Sequence, residues 1–74
     1  MIVIDVEATG KQIKCLMTKN GVSAIDVQKR LNLSVPYGVY KWLWGMCLPT
    51  IDHLVILADM FGVTMDDIVM TKRI

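Results

Sequence analysis

Apolar residues recur along this chain at helical spacing in short stretches, each closed by a residue type that starts or stops a helix. Between Ser23 and Gly45 the sequence reads SAIDVQKRLNLSVPYGVYKWLWG. Val27 and Leu31 stand at i and i+4, and Val35, Val39 and Trp42 at i, i+4 and i+7, so each half carries one apolar stripe. Ser23 and Ser34 sit where a side-chain oxygen would cap the first free backbone N–H groups of each half. The break at Leu31-Asn32-Leu33-Ser34 leaves room only for a turn. Two short helices crossing closely through a tight turn have helix-turn-helix geometry.

The flanking segments follow the same grammar. Thr9-Gly10-Lys11-Gln12 has the form of a capping box, with Ala8 and Ile13 as its hydrophobic staple. It predicts a first helix that buries Ile13, Leu16 and Met17, turns Lys14 and Cys15 outward and stops at Asn20-Gly21. Gly21-Val22-Ser23 with Asp26-Val27, and Gly62-Val63-Thr64 with Asp67-Ile68, repeat one corner device: a stop glycine, an apolar pair and a cap with an acid three residues on. Pro36 belongs in the first turn of the third helix, where its missing N–H costs nothing. Thr50 and Asp52 start a fourth helix whose core face is Leu54, Leu57, Ala58 and Phe61. A fifth runs from Met65 to about Val69. Ile2 to Val6 alternates like a strand, and Ile68 to Thr71 has similar character, so the two ends can pair as an antiparallel ribbon within one chain or between two copies. The expected core is Ile13, Leu16, Val27, Leu31, Val39, Trp42, Leu54, Leu57, Ala58 and Phe61.

An ordered string of anchors runs through residues 9–69: Gly21-Val22-Ser23, Leu31-Asn32-Leu33-Ser34, Val39-Tyr40-Lys41-Trp42-Leu43-Trp44-Gly45, Leu48-Pro49-Thr50, Leu54, Leu57-Ala58, Phe61-Gly62-Val63-Thr64 and Asp67-Ile68. It resembles the Cro/lambda-repressor-like helix-turn-helix family of DNA-binding regulators, also called the xenobiotic-response-element type. The resemblance implies an all-α, five-helix domain over residues 1–74, with a short terminal β-ribbon as an addition. It also implies a repressor-like transcription regulator that acts as a homodimer on double-stranded DNA and reads the major groove with a third helix of about Pro36 to Trp44. The outward residues of that helix, Tyr37, Gly38, Tyr40, Lys41 and Trp44, are its expected DNA contacts. Ser23 and Ala24 at the start of the second helix, with the backbone of Gly45 and Met46, are expected near phosphates. The chain departs from the family pattern at Ala24, Met17, Leu43 and Trp44, where the family favours polar or basic residues. A protein-interaction module that keeps the fold and binds through Leu43, Trp44, Met46 and Cys47 is the alternative.

Composition sharpens this picture in two ways. The hydrophobic fraction of 54% and the six Met are high for 74 residues, so either the core is unusually dense or a partner covers some apolar surface. Net charge is only +1, but residues 9–48 carry Lys11, Lys14, Lys19, Lys29, Arg30 and Lys41 against Asp26 alone, while the rest carries six acids against Lys72 and Arg73. The basic part contains the two-helix stretch, as a phosphate-facing surface requires. Cys15 and Cys47 match no zinc spacing with the lone His53, and free thiols are expected. His53 is expected on the solvent side or in a capping role. No glycine-rich phosphate loop or G-x-S-x-G elbow occurs, and Asp66-Asp67 falls in the first turn of a helix, so neither an enzyme nor a cofactor is expected. No apolar run reaches the roughly 18 residues of a membrane span, and a cytoplasmic, nucleoid-associated location is expected.

Overall fold

The computed structural model describes all 74 residues. In chain order it contains β1 (Ile2–Ile4), α1 (Val6–Lys19), α2 (Ala24–Arg30), α3 (Tyr37–Leu43), α4 (Ile51–Phe61), α5 (Met65–Ile68) and β2 (Thr71–Arg73). All ten expected core residues are buried, and Met17, Ala24 and Ile68 join them in one cluster. The radius of gyration is 11.6 Å, close to the roughly 11 Å of a compact chain of this length.

The helix corners form largely as their residues dictate. Ser23 and Thr64 each accept from the backbone N–H three residues on, and Asp26 and Asp67 each accept from the N–H of the capping residue, completing two capping boxes. Four helices end by one device, in which a residue with positive φ follows the last turn: Gly21, Asn32, Gly45 and Gly62. At the end of α2, Asn32 N–H donates to Lys29 O and Leu33 N–H to Gln28 O, and the Gln28 amide reaches on to Leu33 O and Ser34 O. Asn tolerates this left-handed conformation better than most residues.

Three expected boundaries move. First, α1 starts at Val6 with Asp5 as its cap, accepting from Ala8 N–H, so Thr9 and Gly10 lie inside the helix and form no capping box. Packing explains the pair. Thr9 is fully buried, and its hydroxyl accepts from Met70 N–H at 3.0 Å, tying α1 to the segment before β2. Gly10 lies so close to the end of α3 that an added Cβ would stand 2.2 Å from Trp42 O. Second, α3 starts at Tyr37 with Pro36 as its cap residue and no side-chain cap, so Ser34 does not cap it. Val35 is 59% exposed instead of buried, because the Asn32 reversal carries residues 33–36 outside the helix, and Leu33 packs against the core there instead. Third, the terminal strands pair antiparallel within the chain as Ile2 with Arg73, Val3 with Lys72 and Ile4 with Thr71. Val6 belongs to α1 and Ile68 to α5, which moves the pairing toward the chain ends. His53 is half-buried, its ring tilted against Trp42 with centroids 5.8 Å apart, so it serves as a partner of the core tryptophan.

Candidate nucleic-acid interface

Val39 and Trp42 anchor α3 to the core, and helical spacing turns Tyr37, Tyr40, Lys41 and Trp44 to the other side. These four side chains form one cluster. The Trp44 ring stacks on Tyr40 with centroids 5.8 Å apart and meets Tyr37 edge-on at 6.1 Å. Lys41 Nζ lies 5.6 Å from the Tyr37 ring centroid, within cation–π reach. Trp44 stays 60% exposed, so the aromatic surface faces solvent despite its internal contacts. Gly38 lies within this face, and an added Cβ there would meet nothing closer than Leu33 Cδ1 at 4.0 Å.

The other expected contacts have different surroundings. Ser23 is exposed, but both its N–H and its hydroxyl donate to one Asp26 carboxylate oxygen, at 2.8 and 2.9 Å. Those bonds hold the Asp26 carboxyl below its ordinary pKa, the backbone bond foremost. A carboxylate thus already sits at the positive end of α2. Ala24 is buried against the core, so only its backbone N–H remains for a ligand. Gly45 N–H donates to Trp42 O and Met46 N–H to Lys41 O, closing α3. Neither group is free to donate to a phosphate. Gly45 also packs on Glu7, where an added Cβ would fall 2.9 Å from Cγ.

Lys11, expected only as one of the cations of residues 9–48, borders the site, and Ile25 borders the expected contact Ala24. Lys11 lines a shallow groove with Glu7, Leu43, Trp44 and Gly45 and brings a second cation to the end of α3. Its charge was visible in the sequence, whereas the start of α1 at Val6 and the approach of α1 to α3 were not. Ile25 is exposed beside Ala24 at the start of α2. Of the residues proposed for a protein contact, Leu43 and Cys47 pack partly against the core, which leaves Trp44 and Met46 outside. Arg30 pairs with Asp59 at 3.1 Å on the surface.

No protein-family model matches the chain, and no curated protein or solved structure matches it significantly. No group of three His, Cys, Asp or Glu side chains is arranged to hold a metal ion, and no helix is long and apolar enough to cross a membrane.

Proposed function

We propose that the chain is a sequence-specific, helix-turn-helix DNA-binding regulator that lays α3 in the major groove and acts as two copies on a two-fold operator. The observation that carries this reading is the exposed face of α3, where Tyr37, Tyr40, Lys41 and Trp44 converge on one surface. Its chemistry suits base edges. The two phenols, the indole N–H and the ammonium are donors, and α3 holds no carboxylate or carboxamide. Such a face suits the acceptors of guanine and thymine, with aromatic rings to cover thymine methyls. It lacks the Asn or Gln that would bind adenine in bidentate fashion, and the Asp or Glu that would accept from cytosine. The lysines of residues 9–48 supply the sequence-independent attraction to phosphate, Arg30 being paired with Asp59.

Selection from a pool of random duplexes tests the proposal. The expected result is a two-fold sequence in which one strand of each half-site is rich in guanine and thymine, bound with an affinity that falls steeply as salt rises. Absence of enrichment would contradict it. The second reading, a protein-interaction module, draws on the exposed apolar pair Trp44 and Met46 and on the internal use of the Gly45 and Met46 N–H groups. Under that reading the partner is a protein, and its binding hardly responds to salt.

A further inference from the structure

The two-stranded ribbon has two outer edges, and they differ. Ile74 N–H donates to Met1 O at 2.9 Å, and Asp5 N–H donates to Met70 O at 2.8 Å. In an antiparallel pair, bonded and non-bonded residues alternate along each strand. The backbone groups of Met1, Val3 and Asp5 therefore face β2 and its flanks, and the N–H and C=O groups of Ile2 and Ile4 point to the opposite edge, where the sheet has no further strand. This edge reads Ile-Val-Ile, without charge, proline or bulge, the devices that normally block edge pairing. Ile2 is 56% and Ile4 45% exposed. The edge of β2 instead carries Lys72 and Arg73, which would repel a second copy of itself. The bond between Thr9 and Met70 holds the ribbon against α1, so the β1 edge is presented on a fixed base.

We propose that β1 is a self-association strand: a second copy of this chain pairs with its free edge, antiparallel about a two-fold axis at Val3, giving a four-stranded sheet in the order β2-β1-β1-β2. The register follows from the bonding pattern. Ile2 of one copy faces Ile4 of the other, each pair exchanges two backbone bonds, and no outward N–H or C=O of Ile2 or Ile4 is left over. Val3 meets its own copy at a non-bonded position. Four isoleucines then share one face, and no charge of the strand opposes the contact. An occupant of another sequence could use the same bonds, but a second copy alone gives this symmetric pairing of Ile2 with Ile4. The contact names the surface that joins the two copies in the proposed function, yet it forms without DNA. A three-residue strand pair is small beside a standard interface of about 1,600 Å², so the dimer belongs to the weak, concentration-dependent class.

Sedimentation without DNA over a series of rising protein concentrations tests the pairing. The parent is expected to show a dimer. The double variant Ile2→Lys with Ile4→Lys, and separately Ile2→Glu with Ile4→Glu, places like charges face to face and is expected to be monomeric with unchanged helical circular dichroism. Mixing the two double variants is expected to restore the dimer. In a Cys15→Ser, Cys47→Ser background, Val3→Cys is expected to cross-link under mild oxidation, since non-bonded antiparallel pairs lie about 4.5 Å apart at Cα, within disulfide range. Arg73→Cys on the other edge is expected to stay reduced. A parent that sediments only as a monomer overturns the proposal, whatever other strand the edge then accepts. So does a dimer that persists in either charged variant, or cross-linking of Arg73→Cys as fast as Val3→Cys. A monomer that still binds a selected operator would refute this contact and leave the DNA reading standing.

Discussion

Gly10→Ala and Gly38→Ala are the same substitution inside two helices, and their effects on stability are expected to have opposite signs. Alanine gains about 0.8–1 kcal/mol over glycine in a helix interior. At Gly38, in the first turn of α3, the new methyl has Leu33 Cδ1 as its nearest neighbour at 4.0 Å, so part of the gain is kept. At Gly10 the methyl carbon would lie 2.2 Å from Trp42 O and 3.2 Å from Trp42 C. Ordinary contact needs more than 3.4 Å, and backbone atoms cannot swing aside as a side-chain tip does. Helices α1 and α3 must separate by about 1 Å, an overpacking penalty of about 1–3 kcal/mol. After subtraction of the helix gain, Gly10→Ala should cost up to about 2 kcal/mol. A domain of this size shifts its Tm by roughly 4–8 °C per kcal/mol. Thermal unfolding followed by circular dichroism should therefore show a higher Tm for Gly38→Ala and a lower one for Gly10→Ala, with urea m-values unchanged. A Gly10→Ala protein as stabilised as Gly38→Ala would refute the close crossing of α1 and α3 at Gly10 and Trp42.

Two further outcomes follow from polar groups. Thr9→Val keeps the shape of the buried side chain but leaves Met70 N–H without its acceptor, and should cost about 1–3 kcal/mol, with amide exchange faster in the ribbon than in α2. Asp26 and Asp67 are held below their ordinary pKa of 3.8 chiefly by the backbone N–H of Ser23 and Thr64. The stability they add is present above that value and is lost as pH falls from it through the lowered folded values. The double variant Asp26→Asn with Asp67→Asn should thus show a shallower acid limb than the parent in denaturant titrations between about pH 5 and pH 2.

Local signals were legible where neighbours in sequence are also neighbours in space. The stops at Gly21 and Gly62, the capping boxes at Ser23 and Thr64, and the core stripe of α4 each need only residues within one turn. The errors came where distant packing reassigns a local signal. Thr9-Gly10-Lys11-Gln12 resembles a helix start, but Thr9 is there to hold Met70, Gly10 to admit Trp42, and Gln12 to reach Asp67 O at 2.8 Å. The usable signal was Asp5, with Glu7 in the turn that follows it. Val35 fits the apolar stripe of the third helix in spacing, yet Asn32 reverses the chain before that stripe begins. For the candidate site, Tyr37, Tyr40, Lys41 and Trp44 were readable from periodicity. Their union into one stack depends on side-chain rotamers, and the internal use of the Ser23, Gly45 and Met46 N–H groups depends on how each helix terminates. Spacing encodes neither.

The most direct test of α3 as the reading head compares parent, Lys41→Ala and Tyr40→Phe on a selected operator at two salt concentrations. Both variants should fold normally, since neither side chain belongs to the buried core. Lys41→Ala should lose about 1–3 kcal/mol of binding with relaxed specificity if the ammonium reads a base, or weaken all sequences alike and lower the salt slope by about one if it holds a phosphate. Tyr40→Phe keeps the ring stacked on Trp44 and removes one hydroxyl, so its loss of binding reports hydrogen bonding alone. Both variants are expected to bind more weakly than the parent; DNA binding by both that equals the parent at each salt concentration would exclude α3 as the reading head.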